Sequence, residues 1–216
     1  MIPYFPVVGL LLGILTALFD QLATGLWSKP VASLLDVFLL ALLTGAFHLD
    51  GLGDAADGLL GQRPKEEALD IMKDSRLGTM GLVAIVFGLA LKWAGIAGLG
   101  ADRTLLLILV PAYARAGMLC GMRFLTYGRP DGGTGLDFFK SKLAWTAFWG
   151  MAAPVMLSLF LGWTAIWLNL GFVALTAILI RYYKRRVDCI TGDMLGAMTE
   201  ILEAGLFLMV STGGVG

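Results

Sequence analysis

The sequence predicts an all-α protein: a polytopic transmembrane helical bundle of about seven spans, with an interfacial helix and a polar site at its cytoplasmic face. Of the 216 residues, 58% are hydrophobic, and the mean hydropathy is +0.81. Charged residues make up only 15% of the chain, against about 25% in an ordinary soluble domain. No linker or low-complexity stretch divides the chain, so we expect residues 1–216 to form a single integral membrane domain.

Seven apolar runs of about 18 to 22 residues are long enough to cross a bilayer as helices. The first run contains two prolines, and the last begins with an aspartate and contains two glutamates. The runs cover residues 2–19, 31–48, 78–99, 104–121, 143–161, 164–182 and 193–210.

A short interfacial helix is predicted between the second and third runs. Residues 64–73 begin with a proline and carry two glutamates in the first turn, which are helix-starting signals. Leu69 and Met72 fall on one side of that helix.

The basic residues predict the orientation of the bundle. The polar segments 50–77, 122–142 and 181–192 carry the Lys and Arg clusters, whereas the connections between them hold few basic residues. Because short loops rich in Lys and Arg stay in the cytoplasm, all three segments are expected on that side of the cell (inner) membrane. Any chemistry of the polar residues is therefore expected at the cytoplasmic face.

Three aspartates interrupt this apolar sequence at spacings of four and three. On a helix, at about 100° per residue, Asp50, Asp54 and Asp57 fall within an arc of roughly 60°. Three negative charges so close together repel one another unless a cation lies between them, and hard cations such as Mg²⁺ prefer oxygen ligands and often bridge to phosphates. The triplet therefore predicts a magnesium site, and the alternative is a solvated acidic loop that caps two helices.

A second polar cluster occupies residues 72–81, directly before the third predicted span. Lys73 and Arg76 beside the backbone N–H groups of a helix start would suit a substrate phosphate. The alternative is topological anchoring by the basic residues, with Ser75 or Thr79 as the N-cap of the helix.

Two further candidates lie within the predicted spans. Arg115 could bind a substrate phosphate or the acidic cluster, although a long cationic side chain near a helix end can also snorkel to the interface. Asp193 and Glu200 are seven residues apart and share a helix face, and acids within a membrane are functional candidates by default. A structural pairing of Glu200 with Arg115 or Lys92 is the competing interpretation.

Together these groups suit phosphoryl transfer from an activated diphosphate to an alcohol, since carboxylates bind Mg²⁺ and cations neutralise phosphate charge. A loop with four glycines, residues 128–135, is a candidate lid over such a site. The chain has one histidine, which excludes a multi-histidine zinc site.

Three motifs of the chain closely resemble the cobalamin synthase family, the adenosylcobinamide-GDP ribazoletransferases. They are His48-Leu-Asp50-Gly-Leu-Gly-Asp54-Ala-Ala-Asp57-Gly, Met72-Lys-Asp-Ser-Arg-Leu-Gly-Thr-Met-Gly81 and Ile190-Thr-Gly-Asp193-Met-Leu-Gly196. The resemblance implies a Mg²⁺-dependent enzyme that joins adenosylcobinamide-GDP to α-ribazole, or to its 5′-phosphate, and releases GMP. The chain departs from the family in its short N-terminus and at Asp188-Cys189, where the family tends to have glycines.

The resemblance also implies roles for individual residues. Asp50, Asp54 and Asp57 would hold the metal on the diphosphate, or one of them would instead take the proton of the attacking hydroxyl. Asp193 would be a further metal ligand or the base, and the catalytic residues would be Asp54, Asp57 and Asp193. Phosphate charge would be neutralised by Lys73, Arg76 and Arg115. The expected partners are the two substrates and the lipid bilayer, with a homo-oligomer left open, and the net charge of zero gives no reason to expect nucleic acid.

Two other functions are compatible with parts of the pattern. A CDP-alcohol phosphotransferase of phospholipid synthesis also uses spaced aspartates, but its Asp-Gly-x-x-Ala-Arg opening is absent. A transporter or ion channel would place acids at mid-membrane depth, whereas seven of the 16 acids lie within residues 50–74.

Overall fold

The computed structural model describes residues 1–129, 132, 135–139 and 142–212, and the regular secondary structure of this part is helical, without a named strand. Short segments of 3₁₀-helix occur at Ile2–Tyr4, Leu136–Phe139, Trp145–Met151 and Leu159–Leu161. The α-helices are α1 Phe5–Leu26, α2 Lys29–Leu43, α3 Phe47–Leu59, α4 Lys65–Ile71, α5 Thr79–Gly98, α6 Arg103–Phe124, α7 Ala152–Ser158, α8 Trp163–Arg186 and α9 Gly192–Ser211. The predicted all-α fold is confirmed.

Five helical segments of the described chain are long and apolar enough to cross a membrane: Ile2–Leu26, Thr79–Gly98, Arg103–Phe124, Trp163–Arg186 and Gly192–Ser211. A sixth span arises if the bent pair α2 and α3 crosses as one unit. The predicted count of about seven is therefore not confirmed, because the fifth predicted run forms a shorter apolar helical segment, Trp145–Leu161.

The second predicted run breaks near its end. Gly45 and Ala46 both have positive φ values, 58° and 55°, a conformation that ends a right-handed helix. The chain then turns by 89° into α3. This bend directs the helix with the three aspartates across the bundle instead of continuing α2.

Helices α6 and α9 form the centre of the bundle. In the most apolar stretch of each helix, 78% of α6 and 72% of α9 is buried inside the protein, against 22–28% for the other three long helices. Helix α1 packs along α6, whereas α3, α5 and α8 pack around α9. The outward faces of the peripheral helices carry large exposed apolar side chains, as expected for surfaces in contact with lipid.

An ion-pair network ties the helices together at the bundle end opposite α3. Arg103, at the start of α6, donates from Nε to Asp20 of α1 over 2.8 Å and from its terminal nitrogen to Asp36 of α2 over 2.9 Å. The same guanidinium donates to the carbonyl oxygen of Ile96 over 2.6 Å. Burying these charges is tolerable because each of them has a partner.

The predicted short helix is present as α4, with Pro64 as its N-cap residue. Ala68 and Met72 are buried and Leu69 is half-buried, so the side predicted to be apolar does face the protein. Helix α4 packs on the C-terminal half of α3, where an added Cβ on Gly58 would lie 2.6 Å from the carbonyl oxygen of Ala68.

Candidate functional site

Helix α3 lies between the N-terminal ends of α5 and α9. Gly51 of α3 touches the first turn of α9 so closely that an added Cβ would lie 2.7 Å from the carbonyl oxygen of Asp193. On the α5 side, Gly81 approaches Asp57 and the backbone of Gly53. The glycines of the first two motifs therefore allow three helix segments to meet around the aspartates, as small residues do in membrane bundles.

Asp57 caps helix α5. Its Oδ2 accepts a hydrogen bond from the backbone N–H of Gly78 over 2.7 Å, and its Oδ1 accepts one from that of Gly81 over 2.8 Å. A carboxylate there satisfies two backbone donors that the first turn of a helix leaves free, and it interacts favourably with the helix dipole. This geometry corresponds to the alternative of a capping acid, and the metal-binding and catalytic roles of Asp57 stay predictions.

Asp50, Asp54 and Asp193 form a second group of carboxylates at the same end of the bundle. Asp50 is exposed, and Asp54 and Asp193 are half-buried. The negative charges of Asp50, Asp57 and Asp193 all act on Asp54, and so does the positive charge of Arg129. Within the described ranges, the side chains of Asp50 and Asp54 accept no hydrogen bond from the protein.

Arg129 is the site residue that the sequence interpretation missed. A terminal nitrogen of its guanidinium lies 2.7 Å from Oδ2 of Asp193. The chain after α6 is held beside the start of α9 by two backbone hydrogen bonds of 2.9 Å, from Gly128 to the carbonyl oxygen of Ile190 and from Ile190 to that of Thr126. These two segments are far apart in the sequence, so no local sequence pattern predicts their pairing.

The predicted lid lies only partly within the described residues. Gly128, Arg129, Gly132 and Gly135 are described, whereas residues 130, 131, 133 and 134 lie outside the described part of the chain. The lid therefore stays a prediction.

Lys73 and Arg76 lie on the exposed connection between α4 and α5. Lys73 pairs with Asp70 over 2.8 Å and Arg76 with Asp74 over 2.5 Å, and neither contacts the carboxylates of α3. Hydrogen bonds from Arg76 lower the pKa of Asp74 to about 2. Because exposed ion pairs are weak, both cations remain available to a phosphate bound at the membrane surface.

Arg115 is buried in a network deep in the bundle. Its guanidinium donates to Glu203 and, over 3.0 Å, to the carbonyl oxygen of Pro111. Lys92 of α5 donates to Glu200 over 2.5 Å and to Glu203 over 2.6 Å. The alternative of a structural pairing between Glu200 and Lys92 is therefore present in the structure, and the phosphate-binding role of Arg115 stays a prediction.

The oxygen atoms of these carboxylates suit magnesium, but the side chains do not form a complete metal site by themselves. In the described chain, no three His, Cys, Asp or Glu side chains are grouped closely enough to hold a metal ion. Mg²⁺ usually keeps several waters and binds through one or two carboxylates plus substrate phosphates, so a complete site made by the protein alone is not required. Asp50 and Asp54, which accept no hydrogen bond from the described protein, fit that mode of binding.

An apolar cavity of about 350 Å³ lies on the other side of α3, between this helix and α5, α8 and α9. Leu52, Ala55 and Leu59 line it from α3, and Glu200 is its charged lining residue. None of the site aspartates lines this cavity, so it is separate from the carboxylate group.

Comparison with known proteins identifies the family. A family model described as cobalamin-5-phosphate synthase matches residues 1–211. A protein of Alkaliphilus metalliredigens is 37% identical over 97% of this chain and 84% of its own length, and one of Clostridium novyi is 34% identical over 94% and 82%. One of Pseudomonas putida is 38% identical over 94% of this chain and 84% of its own length.

All three relatives are named adenosylcobinamide-GDP ribazoletransferase. No solved structure matches the chain. The family match confirms the predicted resemblance along nearly the whole sequence, and with it the assignment to enzymes. The chain belongs to the cobalamin-5-phosphate synthase family and is a transferase of cobalamin synthesis.

Proposed function

We propose that the protein transfers the cobinamide phosphate moiety from adenosylcobinamide-GDP to α-ribazole, or to its 5′-phosphate, with release of GMP. The name of its relatives supports adenosylcobinamide-GDP as the substrate. The observation that carries the proposal is the meeting of Asp50, Asp54 and Asp193 at one end of the bundle, beside the guanidinium of Arg129. Such a site can hold a diphosphate and accept a proton from an alcohol.

In this reaction a ribose hydroxyl oxygen attacks the phosphorus that carries the cobinamide side chain. A new P–O bond forms, the P–O bond to GMP breaks, and the hydroxyl proton passes to a carboxylate. Asp54 and Asp193 are the candidates for that carboxylate. Asp54 is the better placed of the two, because Asp193 is already paired with Arg129, whereas the nearby charges that act on Asp54 are mostly negative.

Magnesium is part of the proposal. Asp50 would hold it, joined by Asp54 where Asp193 takes the proton, and Asp57 would be a further ligand only if it releases the N-terminus of α5. The ion supplies positive charge that stabilises the diphosphate and the leaving GMP. Lys73 and Arg76 can contribute further positive charge from the exposed connection between α4 and α5.

We propose that the site faces the cytoplasm at the cell membrane. The carboxylates lie at the bundle end where α5 and α9 begin and where α6 and α8 finish. That end carries the three basic segments, and the last turns of α8 alone carry Arg181, Lys184, Arg185 and Arg186. The positive-inside rule supports this orientation.

The direct test is GMP release by the purified protein in liposomes. Adenosylcobinamide-GDP is supplied with and without α-ribazole, and each mixture is run with Mg²⁺ or with excess EDTA. GMP and the corrinoid product should appear together and only when α-ribazole and Mg²⁺ are both present. GMP release that does not depend on α-ribazole would identify a hydrolase instead. The absence of GMP above the protein-free blank would contradict the proposed reaction.

A further inference from the structure

The cations predicted to bind phosphate do not lie among the carboxylates. Lys73 and Arg76 are exposed and paired with neighbours in sequence, and Arg115 is buried beside Glu203. A diphosphate that enters the carboxylate group therefore meets mainly negative charge. Repulsion of this kind must be offset by cations at the site itself, and a metal ion is one such source.

Arg129 is the described side chain that brings positive charge to this position. Its guanidinium contacts Asp193 over 2.7 Å, and its charge also acts on Asp54. The side chain is largely shielded, with 16% of its surface exposed, so its field is screened less by solvent than that of Lys73 or Arg76. A guanidinium is also the side chain that best matches phosphate oxygens in two-point hydrogen bonds.

The backbone places Arg129 independently of its ion pair. The hydrogen bonds between Gly128 and Ile190, and between Ile190 and Thr126, hold the chain directly before it. These bonds join the end of α6 to the start of α9, and they do not involve the guanidinium. The side chain can therefore change partner while its Cα stays beside the carboxylates.

We propose that Arg129 binds the diphosphate of the nucleotide-activated substrate and exchanges Asp193 for a phosphate oxygen when the substrate enters. This inference rests on the proposed function. Before binding, the pair with Asp193 holds both side chains in place and limits the repulsion among the carboxylates. After the exchange, the carboxylate of Asp193 is free to accept a proton, a step that follows substrate binding.

Removing either partner of the ion pair distinguishes substrate binding from a merely structural role, because the two removals should then affect substrate binding differently. If Arg129 contacts the diphosphate, Arg129→Gln weakens binding of adenosylcobinamide-GDP by about 10- to 100-fold, the usual range for a lost hydrogen bond to a charged group. Asp193→Asn removes the same ion pair but leaves the guanidinium free, so binding stays equal or becomes tighter. A residue that only held Asp193 in place would give the same effect in both variants.

The experiment measures the dissociation constant of radiolabelled adenosylcobinamide-GDP by equilibrium dialysis, for protein in detergent with Mg²⁺ present and α-ribazole absent. The variants are Arg129→Gln, Asp193→Asn and, as a matched control, Arg185→Gln, an exposed arginine at the end of α8. Thermal unfolding identifies any variant that does not fold. If Arg129→Gln does not fold, Arg129→Lys replaces it, with an expected weakening of several-fold.

Weaker binding by Arg129→Gln, with Asp193→Asn and Arg185→Gln at least as tight as the wild type, supports the proposal. Unchanged binding by folded Arg129→Gln or Arg129→Lys overturns it, and so does an equal loss in Arg129→Gln and Asp193→Asn. Because this assay measures binding and not turnover, GMP release by the wild-type protein is measured as well. Wild-type turnover with unchanged Arg129→Gln binding refutes this inference alone, whereas absent wild-type turnover refutes the proposed function.

Discussion

Replacement of Lys92 by Met should destabilise the protein strongly. The ammonium group lies between two glutamates, with 3% of the lysine side chain exposed against 5% for Glu200 and 1% for Glu203. Glu203 keeps Arg115 as a partner when the lysine is removed, whereas Glu200 then has no hydrogen-bond donor in the described chain. Breaking a buried pair in this way typically costs about 3–5 kcal/mol, because an uncompensated charge stays buried.

The expected loss is large enough to measure by thermal unfolding. For a chain of this length, each kcal/mol corresponds to about 2–4 °C in Tm, so Lys92→Met should lower Tm by about 6–20 °C. Tryptophan fluorescence in detergent micelles follows the transition, since the chain has six tryptophans. Lys184→Met, at an exposed position at the end of α8, is the matched control and should leave Tm nearly unchanged.

A double variant identifies the cause of the loss. In Lys92→Met/Glu200→Gln the stranded negative charge is gone, while Glu203 still pairs with Arg115. The double variant should therefore regain at least half of the Tm lost by Lys92→Met. A single variant within about 2 °C of the wild type, or a double variant no more stable than the single one, would refute the reasoning.

Two further predictions concern the packing of α3. Asp57→Ala removes two backbone hydrogen bonds from the start of α5, and we expect unfolding to become easier by about 1–3 kcal/mol; an unchanged Tm would contradict the capping role. Gly51→Ala places a Cβ 2.7 Å from the carbonyl oxygen of Asp193, so it should push α9 away from α3 and lower turnover at least tenfold, whereas Gly25→Ala, with no atom within 4 Å, should not. Equal turnover in the two glycine variants would show that this close contact is not required.

Much of the candidate site could be predicted because it depends on local periodicity. The spacing of Asp50, Asp54 and Asp57 places them on one helix face, and a helix does form there. The position of Asp193 also depends on local sequence, since it lies in the first turn of α9 after the N-cap Thr191. The family resemblance rests on the same local motifs.

The contacts that give these residues different roles are long-range and could not be predicted from local sequence patterns. Asp57 differs from Asp50 and Asp54 because the start of α5 lies against it, and that depends on how two helices pack. Arg129 reaches Asp193 only because the chain after α6 pairs with the chain before α9. The span count of about seven is not confirmed, and the second predicted run shows one reason: the left-handed conformations of Gly45 and Ala46, which break it, are backbone features that hydropathy does not report.

The comparison of Asp54→Asn with Glu67→Gln tests the central claim most directly. Both variants neutralise one carboxylate in the same polar segment, but Glu67 is exposed on α4 and pairs with Arg63. GMP release in liposomes should fall by at least about 100-fold in folded Asp54→Asn, the scale of a lost proton-transfer group or metal ligand, and should stay near wild type in Glu67→Gln. Wild-type GMP release by Asp54→Asn would contradict the assignment of the catalytic site to this face of α3.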